Sequence, residues 1–270
     1  MRRGAGYPER IVCLTEETTE TLYLLEEDWR IVGISGFTVR PARARREKPR
    51  VSAFTSAKID RIVELRPDLV LGFSDLQADI AAQLVRAGIE VHVFNHRSVA
   101  EILRTVRILG GMIGCESKAT ALADRLTAGL EDIRARTSRL SRRPRVYFEE
   151  WDEPQISCIR WVSELIGIAG GEDCFPEASL QPLGKDRIIA DPMEVPRRAP
   201  DIILGSWCGK KFRPETVKAR PGWDTIPAVR DDVVREIKSA VILQPGPAAL
   251  TEGVAEIQRV ILEWAEKKGV

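Results

Sequence analysis

The chain has 270 residues, 44% hydrophobic and 30% charged, with 41 Lys and Arg balanced by 40 Asp and Glu. That is enough apolar material for two compact units with separate cores. The near-neutral charge gives no argument for a nucleic-acid partner, and without an apolar run of about 18 residues no membrane insertion is expected.

The first residues, Met1-Arg2-Arg3-Gly4-Ala5-Gly6-Tyr7-Pro8, are basic but lack an apolar segment behind them. Taken literally this is a cytoplasmic protein without a secretory leader, unless a leader has been removed. Residues 10–14 form a buried strand, with Cys13 a small core residue. Thr15 follows as an N-cap, and Glu16 and Glu17 suit the helix dipole. A short strand at 31–34 precedes an irregular stretch, 35–56, whose basic run at 40–50 reads as a solvated loop. Helix 58–65, strand 69–71, helix 75–87, strand 91–94 and helix 99–109 come next. Residues 116–140 carry the longest helical pattern, with Ala121, Leu122, Leu126, Leu130 and Ile133 at three- and four-residue spacing. Beyond Pro144 lie strand 145–148, helix 161–169 with its Gly170-Gly171 stop, a segment at 193–198, strands 202–204 and 233–237, and a terminal helix over 251–267. Strands alternating with helices predict parallel βαβ units.

Two segments repeat: Arg66-Pro67-Asp68-Leu69-Val70-Leu71-Gly72-Phe73-Ser74 and Ala199-Pro200-Asp201-Ile202-Ile203-Leu204-Gly205-Ser206-Trp207. Their spacing, 201 − 68 = 133, is about half the chain. The expected architecture is therefore α/β, with two Rossmann-like lobes built on parallel sheets (1–114 and 144–270) joined by one long helix (115–143). Strand ends from both lobes then meet at a ligand cleft. The five cysteines, Cys13, Cys115, Cys158, Cys174 and Cys208, have neither disulfide-framework nor zinc-knuckle spacing.

Several short motifs in a fixed order carry a family resemblance. They are Thr19-Glu20-Thr21-Leu22 with Arg30-Ile31-Val32-Gly33-Ile34-Ser35, the run Ile59-Asp60-Arg61-Ile62-Val63-Glu64-Leu65-Arg66-Pro67-Asp68, Glu164-Leu165-Ile166-Gly167-Ile168-Ala169-Gly170-Gly171, Arg220-Pro221-Gly222-Trp223, and Pro245-Gly246-Pro247. Together they resemble the substrate-binding proteins of cobalamin and iron–siderophore ABC importers, the class III group with a single connecting helix. The resemblance implies a monomeric binder, without a catalytic cofactor, that holds a corrinoid or ferric siderophore and presents it to a permease. Family relatives are periplasmic or lipid-anchored. Permease docking falls on Asp60 and on Met193 with its neighbour Glu194.

Strand exits facing the cleft make Phe54, Phe73 and Ser74 the first wall, with Phe54 and Phe73 matching aromatic positions of cobalamin binders. Trp151 and Trp207 form the second wall, since flat ligands favour aromatic faces. Glu149, Glu150, Asp152 and Glu153 read as an acidic loop receiving amide or amine donors. Arg40, Lys210 and Lys211 read as holders of carboxylate, phosphate or catecholate groups, with the Cys208 thiol beside them. The plainer alternative for these charges is mutual pairing at the surface, worth about 0–1 kcal/mol per pair. Gln244 stands where relatives often have Arg. His96, at a strand exit, is the candidate metal ligand; His92 reads as core. A second functional class stays open: an intracellular metal- or tetrapyrrole-handling protein, or a chelatase-like enzyme, using Cys208, His96 and the acidic loop. A nucleotide-binding enzyme is disfavoured, because no Gly-rich loop follows the first strand and Thr15-Glu16-Glu17 would repel phosphate.

Overall fold

The computed structural model describes residues 6–270. The chain divides into two compact α/β units: one runs up to His96 and includes Ala100–Leu126, the other holds Arg97–Val99 and Thr127–Val270. The division falls inside one continuous helix, Glu116–Thr137.

The first unit carries β1 (Ile11–Cys13), β2 (Ile31–Ser35), β3 (Arg50–Ser52), β4 (Leu69–Phe73) and β5 (Val91–Phe94). The order is β3-β2-β1-β4-β5 and every pairing is parallel. Val12, Leu14, Val51, Ile62, Val70, Ile80 and Leu84 form a core on one face. Strand β3 lies within the stretch expected to be irregular. It is three residues long, and only Val51 is buried, which is too little alternation to stand out in a basic run. The strand order reverses direction between β1 and β4, and such a switch point opens a crevice beyond the carboxyl ends of the two strands.

The second unit carries β6 (Arg145–Asp152), β7 (Gln155–Ser157), β8 (Glu172–Asp173), β9 (Ile202–Gly205) and β10 (Val234–Glu236). Its order is β10-β9-β6-β7, with β8 also pairing to β6. The all-parallel expectation fails at one place: β7 runs antiparallel to β6. The anticipated acidic loop 149–153 is instead the far half of β6 and the turn into β7. Glu and Asp are depleted in strands; here Glu149 and Asp152 are tolerated because ion-pair partners meet them.

The repeated Pro-Asp segments have a shared structural task. Asp68 accepts the N–H groups of Glu9 and Arg10 at 2.7 and 2.9 Å, just before β1. Asp201 accepts the Arg145 N–H at 2.9 Å, at the start of β6, and Arg142 at 2.7 Å. In both copies the residue two before the aspartate is left-handed, Arg66 at φ 45° and Ala199 at φ 44°. Each segment thus pins the amino end of the neighbouring strand, the pole opposite the strand exits. The Gly that follows admits a close neighbour: a Cβ on Gly205 would lie 1.8 Å from the Phe212 ring.

Candidate functional site

In the first unit the exits of β1 and β4 flank the switch point. Gln77 is buried there and ties three exits together. Its Oε1 accepts the Phe73 N–H at 2.9 Å, and its Nε2 donates to the carbonyls of Phe54 at 2.8 Å and Leu14 at 3.4 Å. Nothing in the sequence spacing marked this residue. Replacing Gln77 with Leu strands buried backbone groups on three loops, each worth about 1–3 kcal/mol when unpaired. A loss of roughly 2–4 kcal/mol in urea unfolding is expected; a loss below about 0.5 kcal/mol would show that the exits hold themselves.

Ser74 sits at φ 64°, ψ 170°, a region nearly reserved for glycine, and its Oγ accepts the Leu76 N–H at 3.2 Å. Such backbone costs about 1–3 kcal/mol and clusters at functional loops. Ser74 is buried, so it shapes the exit rather than offering a free hydroxyl. Phe73 is also buried, edge-on to His96 with centroids 5.0 Å apart. The apolar surface left at this end comes from Phe37 and Leu76, 53% and 51% exposed, with half-buried Phe54. Phe37 follows β2 in a segment without periodicity, so pattern reasoning passed over it. Arg40 is paired with Glu20 at 3.0 Å, so its charge is already engaged within the unit.

Three carboxyl groups follow β1. Glu16, Glu17 and Glu20 are all more than nine-tenths buried. Thr15 makes no side-chain cap; its hydroxyl donates instead to Glu17 Oε1 at 2.5 Å. Burial pushes the Glu16 carboxyl up to about 8, repulsion from Glu17 and Glu20 adds to it, and the Val39 N–H and Arg45 only partly oppose it. Burial likewise pushes Glu17 up to about 7 against the Thr15 hydrogen bond. The loop after β2 covers this helix start, with the Val39 N–H on Glu16 and Arg40 on Glu20.

In the second unit the acidic residues are paired inside the fold. Glu149 is fully buried. It accepts Arg220 at 2.5 and 2.9 Å, the Trp207 indole N–H at 3.1 Å and the Tyr147 hydroxyl at 3.1 Å. Glu150 accepts the Ile159 N–H at 3.1 Å and pairs with buried Arg187 at 2.6 Å. Asp152 holds Lys210 at 2.5 Å. The acidic stretch is therefore largely paired within the fold, with Asp152 Oδ1 the one oxygen of these three carboxylates that lacks a donor among the described residues. Trp207 is 3% exposed and packs edge-on to Phe212, centroids 4.8 Å apart; it belongs to the core with Tyr147, Phe175 and Trp223. Trp151 is half-buried, its N–H on the Glu153 carbonyl at 3.0 Å. Lys210 covers both indoles, 5.7 Å from the Trp151 centroid and 5.0 Å from that of Trp207.

Cys208 and Lys211 are exposed beside Lys210, and Gln244 is half-buried before Pro245. Asp60 is exposed on the helix Ile59–Glu64, and Glu194 is held by Arg197 and Arg198 at 2.9 and 3.0 Å beside exposed Met193. The metal expectation for His96 fails on geometry. The ring is 1% exposed, edge-on to Phe73 and Phe94, and no three His, Cys, Asp or Glu among the described residues are grouped to hold an ion. Cys158 is buried against Asp173 at 3.6 Å, and burial pushes its thiol well up. No helix among the described residues is long and apolar enough to cross a membrane.

Residues 11–241 match the family model described as periplasmic binding protein. The chain belongs to the periplasmic binding protein family. An uncharacterised ABC transporter substrate-binding lipoprotein of Bacillus subtilis is 25% identical over 94% of this family member and 80% of that protein. A vitamin B12-binding protein of Vibrio parahaemolyticus is 22% identical over 90% and 86%. The solved periplasmic haem-binding protein of Roseiflexus superposes with a TM-score of 0.78 at 22% identity, over 94% of this chain and 99% of that one. The two-unit α/β scaffold with one connecting helix is thus that of the class III binding proteins. This family member is a solute-binding protein of ABC transport rather than an enzyme, and the chelatase alternative falls away. The cytoplasmic expectation is corrected as well: relatives are named lipoproteins or periplasmic proteins, so the family works outside the cytoplasm.

Proposed function

We propose that this binding protein carries a corrinoid, or a closely related metal chelate, to an ABC permease. The supporting observation is the apolar surface beyond the switch-point strands, Phe37, Phe54 and Leu76, a surface suited to a broad flat ligand. The second unit, taken by itself, carries a half-buried aromatic group of its own, Trp151, with Lys210, Lys211 and Cys208 close to it in the fold or the sequence. Phe73, Ser74 and Glu149 support the ligand loops from behind, while Asp152 and Trp207 meet Lys210 at the second unit's rim. Arg40, held by Glu20, and half-buried Gln244 are the further polar candidates, one in each unit. Asp60 and Glu194 are the docking carboxylates for the permease.

The test is a titration of purified protein with cyanocobalamin, dicyanocobinamide, a ferric siderophore and haemin, followed by absorption and calorimetry. One corrinoid is expected to bind per chain, without turnover. Phe37→Ala and Trp151→Ala should each weaken binding about 10- to 100-fold, as truncated anchors do. Corrinoids that fail to bind, or affinities untouched by both substitutions, would end the proposal.

A further inference from the structure

Lys210 occupies a built environment. Its ammonium lies over two indoles, within about 6 Å of each centroid as cation–π attraction requires, and 2.5 Å from Asp152 Oδ2. Beside it, two buried acceptors stand without donors among the described residues: Asp152 Oδ1, and Oε1 of Gln155, which faces Asp152 across the hairpin. These two residues are 9% and 8% exposed. A buried polar atom left unpaired is costly, so this corner is built for more N–H groups than one ammonium supplies. The Lys210 side chain is 49% exposed and follows Gly209 at φ 74°. It can therefore leave without opening the core.

The geometry points to a subsite for an N–H-bearing group, formed by Trp151, Trp207 and Asp152, which Lys210 fills as an internal stand-in and which a ligand's ammonium or primary amide takes over by displacing it. The natural occupant rests on the function proposed above, since corrinoid side chains end in primary amides; the chemistry of the subsite does not. Lys210 is then a competitor of the ligand, not an anion holder, and removing its charge strengthens binding.

The experiment compares wild type with Lys210→Ala and Lys210→Met, using n-butylammonium and dicyanocobinamide as probes. Indole N–H resonances and tryptophan fluorescence report occupancy. In Lys210→Ala, n-butylammonium should shift the Trp151 and Trp207 resonances, and adding Asp152→Asn should abolish the shift. Dicyanocobinamide should bind both Lys210 variants about tenfold more tightly than wild type. Resonances unmoved by n-butylammonium in Lys210→Ala overturn the subsite, and so does cobinamide that binds wild type and binds the variants equally or more weakly. If the amine enters but no corrinoid binds any form, the subsite stands and the corrinoid assignment falls.

Discussion

Glu149→Ala is expected to lower the unfolding free energy by about 3–5 kcal/mol, the range for removing one partner of a buried ion pair. The carboxylate is fully buried and serves three elements at once: Arg220 from the segment before Trp223, Trp207 after β9, and Tyr147 on β6 itself. Its loss leaves a guanidinium only 16% exposed without its counter-charge. Urea unfolding followed by far-UV circular dichroism measures the effect. Adding Arg220→Met removes the stranded charge, so the double variant should be markedly more stable than the sum of the single losses predicts. A single-variant loss below about 1 kcal/mol, or strict additivity, would show that the network does not hold the second unit together.

Thermal stability is expected to fall as pH rises from 5 to 8.5. The folded-state pKa values of Glu16 and Glu17, about 8 and about 7, lie above the ordinary 4.5. Below 4.5 both states hold the protons, and the two groups contribute nothing. Between 4.5 and 8 the unfolded chain releases protons that the native state keeps, so the native state loses ground until Glu16 has ionised. The combined loss is on the order of a few kcal/mol. Burial also raises Glu150 and Asp173, which adds the same sign, so the decisive comparison is with Glu16→Gln/Glu17→Gln. That variant should melt higher than wild type at pH 8 and show a shallower decline. A wild-type melting temperature that rises over this window, or a variant with an unchanged slope, would contradict the assignment.

Much of the scaffold was legible because its signals are local. Strands such as Ile11–Cys13 and Leu69–Phe73 are short apolar runs between helical patterns, and the helix Glu116–Thr137 has sustained periodicity. The hairpin after Arg145 was hidden because its carboxylates look like loop residues until Arg220, Arg187 and Lys210 are seen beside them, 71, 37 and 58 residues away. The same distance problem concealed Gln77, whose Leu14 partner is 63 residues away. Trp207 looked like a wall because it follows a strand exit, yet Phe212 and Glu149 draw it inward. Exposed Phe37 carries no pattern at all, since a lone aromatic in an irregular segment shows its role only once its neighbours are folded around it.

The two Pro-Asp clamps lie at the pole opposite the strand exits. Asp68 and Asp201 fasten the bases of their sheets, leaving each rim free to vary without loosening the foundation. Recognition could therefore be rewritten by transplanting the 36–40 or 206–211 segments from another member, much as antibody scaffolds accept new loops. The two rims already differ, one lined by hidden acids and the other by indoles under a lysine.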